Sequence, residues 1–222
     1  LPSGLVVSCQ APDASPLAGP IFMAAMARAA QQAGAIGIRA DGPEDIRAIR
    51  EAASLPVIGI HKRRDLDPDV YITPTLREVE RVHAAGARIV ALDATRRPRP
   101  GGGTAAHFIR TIKKRYPELL LMADISDLEE GVAAASAGAD LVATTLSGYT
   151  LYSRPGNGPD LELVEALADA VAIPVVAEGR YQQPGQVREA FDRGAYAVVV
   201  GTAITNPLAL AERFVNAVPK DR

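Results

Sequence analysis

The sequence predicts an α/β chain folded as a (β/α)8 TIM barrel of the phosphate-binding type, a single domain spanning residues 1–222. Three observations carry this expectation. A Gly-Ala motif followed by a β-branched run recurs once in every quarter of the chain, and a second set of apolar strands alternates with it. Nearly every strand of both sets ends, on its C-terminal side, in a polar or ionisable residue. Strands alternating with helices in this way call for parallel crossovers. The fourfold near-periodicity favours closure over an open doubly wound sheet, whose edge strands should look different from its central ones.

The elements follow in order. LVVSCQ is the first strand and ends Ser8-Cys9-Gln10. QAGAIGIRA carries a helix end, a glycine cap at Gly34 and a second strand ending in Arg39. Pro43 sits near the first turn of the helix IRAIREAA. PVIGIHK is the third strand and ends in Lys62; Thr75 with Glu78 then fits a capping box. AAGARIVALDA gives Gly86 and a fourth strand ending Leu92-Asp93. The arginines, prolines and glycines of ATRRPRPGGG (94–103) read as a long exposed loop, either over the site mouth or simply solvated.

LLLMADI ends Ala123-Asp124, and Ser126 with Glu129 fits a second capping box. AGADLVATT gives Gly138 and a sixth strand ending Thr144-Thr145. SGYTLYSRPGNGPD is a second long loop, with Tyr149 and Tyr152 as candidate lid contacts. PVVAEGR ends Glu178-Gly179; RGAYAVVVG carries Gly194 and ends at Gly201, before an alanine-rich final helix at 207–218.

Composition narrows the function. A net charge of -2 with no run of like charges argues against nucleic acid or a membrane surface as the main partner. One cysteine, Cys9, excludes an intramolecular disulfide and suits a reducing cytosol. The histidines His61, His83 and His107 lack zinc spacing, so no metal is expected. No apolar run reaches the length of a membrane span, and no charged-then-apolar leader opens the sequence. The expectation is a cytoplasmic protein with a few residues preceding Leu1.

In such barrels the active site lies at the C-terminal ends of the strands. Ile58, Ile60 and Lys62 share one strand face by alternation, as do Val176 and Glu178, and Met122 and Asp124. Parity alone leaves open which face points inward. Lys62 and Glu178, on strands half a barrel apart, would face each other across the mouth. A partly buried amine and carboxyl so placed could remove a proton from one face of a sugar carbon and return one to the other. The same lysine also suits a Schiff base. After the last two strands, Gly179-Arg180 and Gly201-Thr202 suit backbone binding of a phosphate, although both glycines also fit plain turns.

The segments LVVSCQA, GAIGIRA, PVIGI-x-K, VYITPT, ALDATRRPRPGG, LMADIS, TTLSGYT, VAEGR and GAYAVVVG-x-AIT, in this order, resemble the bacterial N-acetylmannosamine-6-phosphate 2-epimerase family of sialic acid breakdown. The resemblance covers about residues 5 to 218. It implies reversible conversion of N-acetylmannosamine 6-phosphate to N-acetylglucosamine 6-phosphate without metal or organic cofactor. It further implies Lys62 and Glu178 as the acid/base pair, Gln10, Arg39 and Asp124 as sugar-binding residues, and a homodimer. Asn206 departs from the family pattern, which has arginine there, and Arg180 is the candidate replacement cation. Two other classes stay open: a Schiff-base lyase using Lys62, and a phosphosugar-sensing barrel without turnover.

Overall fold

The computed structural model describes residues 1–12, 14–66 and 69–219. Eight parallel strands close into a barrel in sequence order: β1 (Gly4–Cys9), β2 (Gly37–Asp41), β3 (Val57–Ile60), β4 (Ile89–Asp93), β5 (Leu120–Asp124), β6 (Leu141–Ala143), β7 (Val175–Glu178) and β8 (Ala197–Val200). Helices α1 (Pro20–Gln32), α2 (Pro43–Ala52), α3 (Leu76–Ala84), α4 (Ala105–Arg115), α5 (Leu128–Ser136), α6 (Leu161–Ala170) and α7 (Pro184–Asp192) separate the strands. A single 3-10 turn, Thr144–Leu146, follows β6, and the short α8 (Thr202–Thr205) and α9 (Pro207–Val215) follow β8. The expected (β/α)8 barrel is the fold.

Two apolar layers organise it. Inside the barrel pack Val6, Ile58, Ile60, Ile89, Met122, Val176 and Val199. Between barrel and helices pack their strand neighbours, such as Val7, Val57, Val90, Leu121, Ala177 and Val198. This resolves the parity question. Arg39, Lys62, Asp124 and Glu178 continue the inward rows, so the barrel lumen is apolar below and ionisable at its C-terminal rim. Gly34, Gly86, Gly138 and Gly194 all follow helices with positive φ, as the recurring motif required. Gly59 serves packing instead: a Cβ there would come within 2.5 Å of Val82 and 2.7 Å of Ala87, so α3 could not close on β3.

Several local expectations shift. β3 stops at Ile60, two residues short of Lys62, and β6 stops at Ala143, before the threonine pair. Arg39 lies in the middle of β2 rather than at its end. Thr75 caps α3 by position, but its hydroxyl goes to the Glu78 carboxylate and not to a backbone N–H. The second capping pair slips by one residue: Asp127 caps α5 by accepting from the Glu130 N–H at 3.0 Å. Among the described residues no helix is long and apolar enough to cross a membrane.

Candidate active site

A cavity of about 1070 Å³ opens at the C-terminal ends of the strands. Gln10, Arg39, Lys62, Tyr149, Glu178, Gly179, Arg180, Gly201 and Thr202 all line it. Asp124 is fully buried beneath them. These ten residues expected from the sequence are therefore gathered at one place.

Two arms hold the ionisable groups. On one side, Arg39 on β2 donates through two nitrogens to Asp124, at 3.0 and 2.6 Å, and through one of them to Glu178 Oε2 at 2.6 Å. The guanidinium is 1% exposed, and its Nε has no hydrogen-bond partner among the described residues. Such a cation is tolerable only because two carboxylates face it. Burial raises the Glu178 carboxyl to about 7; Arg39 opposes the rise, Asp124 adds to it, and Thr145 and Lys62 oppose it. Its side chain is still 13% exposed, so it reaches the cavity.

On the other side, Lys62 stands on a hairpin rather than on the strand. It forms an antiparallel bridge with Ile72, flanked by Arg63 N–H to Tyr71 O at 2.9 Å and Thr73 N–H to His61 O at 3.0 Å. The Asp93 N–H then donates to Ile72 O at 3.0 Å, which ties the hairpin's return to β4. The Lys62 amine donates to Gln10 Oε1 at 2.6 Å, and Gln10 Nε2 donates to Ser8 Oγ at 2.9 Å. Asp41, at the end of β2, accepts from the Lys62 N–H at 2.9 Å and lies 3.4 Å from its Nζ. Sequence reading missed Asp41. The available signal was parity, since Asp41 follows Arg39 by two on the same inward row.

The 3-10 turn after β6 grips Glu178 twice. Thr144 Oγ1 donates to Glu178 O at 2.9 Å and accepts from Glu178 N–H at 3.0 Å, so a side chain replaces ladder bonds where the β6–β7 pairing has run out. Thr145 Oγ1 lies 2.7 Å from Asp124 Oδ1 and 3.1 Å from Glu178 Oε2.

The glycine turns bring further groups to the rim. Arg180, with φ 59°, donates from Nε to Gly158 O at 2.7 Å and also to Ser147 O, pinning the loop after β6. Its guanidinium lies 5.3 Å from the Tyr149 ring centre. Tyr152 does not line this cavity: its hydroxyl donates to Glu130 at 2.9 Å. Asn206 lines it, but its Oδ1 caps α9 by accepting from Ala209 N–H at 3.1 Å. The loop at 94–103 is neither a lid nor merely solvated. Arg97 pairs with Asp93, and Arg99 is buried against backbone carbonyls. No group of three or more His, Cys, Asp or Glu able to hold a metal occurs among the described residues.

A family model described as putative N-acetylmannosamine-6-phosphate epimerase matches residues 23–220. The chain belongs to this family. A member from Caldanaerobacter subterraneus subsp. tengcongensis, named putative N-acetylmannosamine-6-phosphate 2-epimerase, is 52% identical over 222 residues, covering 100% of this chain and 94% of that protein. One of the same name from Clostridioides difficile is 46% identical over 214 residues, covering 96% and 95%. The solved N-acetylmannosamine-6-phosphate 2-epimerase of Clostridium perfringens superposes with a TM-score of 0.91 at 46% identity, covering 96% of this chain and 93% of that one. The N-acetylmannosamine-6-phosphate epimerase family therefore shares this barrel along nearly the whole chain.

Proposed function

We propose that this protein interconverts N-acetylmannosamine 6-phosphate and N-acetylglucosamine 6-phosphate by removing and returning the C2 proton. The observation that carries the reading is that Lys62, after β3, and Glu178, on β7 half a barrel away, line one cavity; burial, which raises the Glu178 carboxyl to about 7, supports it. An acid/base pair works best when its members titrate near the working pH. Family membership supplies the substrate class.

In this mechanism the open-chain sugar presents its C1 aldehyde, which acidifies the C2 proton. One member of the pair takes that proton, and the other delivers a proton to the opposite face. The two exchange roles in the reverse direction. Arg39 stabilises charge on the enediolate oxygens, Asp124 holds that guanidinium in place from beneath, and Gln10 orients the Lys62 amine. Tyr149 closes over the sugar. Gly179, Gly201 and Thr202 offer backbone N–H groups to the phosphate, with Arg180 as the nearby cation in place of the family arginine at Asn206. No metal or organic cofactor takes part.

The reading extends to a single barrel domain acting in the cytoplasm in sialic acid and amino sugar breakdown. A homodimer fits as well. α9 buries none of its side chains and leaves Leu208, Phe214 and Val215 exposed, as α1 leaves Ile21. Light scattering on the purified protein checks that part.

The test of the reaction is proton NMR of N-acetylmannosamine 6-phosphate in D2O with the purified protein. Loss of the C2 proton signal with growth of the 2-epimer is expected, and Lys62→Ala and Glu178→Ala should each slow it by about 10²–10⁴-fold. Absence of both exchange and product at high protein concentration overturns the reading. Capture of a substrate adduct on Lys62 by borohydride would move it towards a Schiff-base lyase, and tight binding without exchange towards a sensor.

A further inference from the structure

Thr145 carries one hydroxyl hydrogen and meets two carboxylate oxygens, Asp124 Oδ1 at 2.7 Å and Glu178 Oε2 at 3.1 Å. A hydroxyl can donate to only one of them at a time. If both carboxylates are ionised, the second contact sets a lone pair against an anionic oxygen. If Glu178 holds a proton, both contacts are satisfied: the hydroxyl donates to Asp124 and accepts from Glu178. The geometry is therefore matched to a site in which the Glu178 proton comes and goes.

The backbone makes this possible. In a continuing strand Thr144 and Thr145 would point to opposite faces. The 3-10 turn that starts at Thr144 lets both reach β7, Thr144 holding the Glu178 main chain and Thr145 its carboxylate.

We propose that Thr145 is a positioning residue for the epimerisation, whose hydroxyl turns between Asp124 and Glu178 as Glu178 gains and loses the transferred proton. The inference rests on the reading of Glu178 as one member of the acid/base pair. In the direction in which Glu178 is the acid, its O–H bond breaks as the enediolate electron pair forms the new C2–H bond and the C1 carbonyl returns. The Thr145 hydrogen then swings from Asp124 to the new carboxylate. In the reverse direction it swings back as Glu178 takes the proton. Three charged groups also face Glu178: Arg39 from β2, Asp124 from β5 and Lys62 from the hairpin after β3. None of them has a hydrogen that can be redirected between the two carboxylates by a single bond rotation.

The test is kcat/KM against pH for wild type, Thr145→Val, Thr145→Ala and Thr145→Ser, with N-acetylmannosamine 6-phosphate as substrate. Removing the hydroxyl deprives ionised Glu178 of a donor and protonated Glu178 of an acceptor, so the limb of the profile that Glu178 sets should shift by about half to one pH unit in Thr145→Val and Thr145→Ala. kcat should fall by about tenfold or more with KM little changed. Thr145→Ser should restore both the limb and kcat. If valine and alanine leave the limb where it is, or if serine fails to restore it, the inference is overturned and Thr145 is only packing. If valine does not fold, alanine and serine give the same comparison. A wild type inactive on this substrate overturns the functional reading itself and this inference with it, whereas an active wild type with unmoved variants overturns the inference alone.

Discussion

Two arginines are buried near the C-terminal rim of this barrel, and they do opposite things. Arg39 donates to the carboxylates of Asp124 and Glu178 and lines the cavity. Arg99 lies outside the cavity, with Phe108 4.3 Å away, and donates to the backbone carbonyls of Asp93, Thr73 and Pro74. Burial works against both charges. At Arg39 the facing carboxylates override it and hold the guanidinium above its usual range. At Arg99 burial prevails and lowers it to about 10, with Asp93 offsetting only part. A buried cation bonded to ionisable partners can take part in chemistry, because a proton moving nearby changes its energy. One bonded to carbonyls can only hold backbone in place.

What Arg99 holds is nonetheless relevant. Thr73 has φ 46°, a conformation a β-branched residue adopts at a cost of about 1–3 kcal/mol. It ends the hairpin on which Lys62 stands, so the Arg99 clamp supports the mount of one catalytic candidate while Arg39 touches the other.

The largest expected difference comes from replacing each arginine by methionine. Arg39→Met strips the counter-charge from two buried carboxylates and should cost about 3–5 kcal/mol of stability, with activity lost. Arg99→Met leaves carbonyls without donors, at about 1–3 kcal/mol, and should keep kcat within about tenfold of wild type. Denaturant unfolding and turnover measured on both variants check this. Equal losses of activity would break the distinction between the two sites.

Glu178 sharpens it next. Its folded-state pKa, about 7, lies above the ordinary 4.5. A raised carboxyl means the native state binds more protons than the unfolded chain between those values. Its stabilising contribution is therefore complete below about 4.5 and is lost as the pH rises through about 7. Glu178→Gln lacks this dependence. Its stability relative to wild type should rise between pH 5 and pH 8, by about 1–3 kcal/mol. Thermal unfolding of both proteins across that range gives the difference, and a flat difference would mean that burial does not set the state of Glu178.

The same contrast explains what could be read from the sequence. The barrel was legible because its signals are local: Gly86 and Gly138 follow helices with positive φ, and apolar runs between them have strand length. Lys62, Glu178 and Arg39 were legible as polar groups on apolar rows. The hairpin under Lys62 was not, because it depends on pairing with Ile72 and on the Asp93 amide, both distant in sequence. Arg99 read as part of a long exposed loop, over the site mouth or solvated, because Arg, Pro and Gly compose loops, while its burial is decided by the carbonyls of Thr73 and Pro74. The roles of Thr144 and Thr145 needed the turn that breaks strand parity.

Asp41 gives the smallest of these effects and the finest test, since it belongs wholly to neither class. It accepts from the Lys62 main chain, as a mount would, and lies 3.4 Å from the amine, as a chemical partner would. With Gln10 also accepting from Nζ, two directions around the amine are occupied, which leaves the third for substrate. Asp41→Ala removes both contacts and should lower kcat by about tenfold, about 1.4 kcal/mol, with KM little changed. Asp41→Asn keeps an acceptor for the amide and removes the charge. Recovery of kcat in the asparagine variant would make Asp41 a mount for the hairpin, whereas continued loss with unchanged stability would make its charge part of how the Lys62 amine is aimed at the sugar.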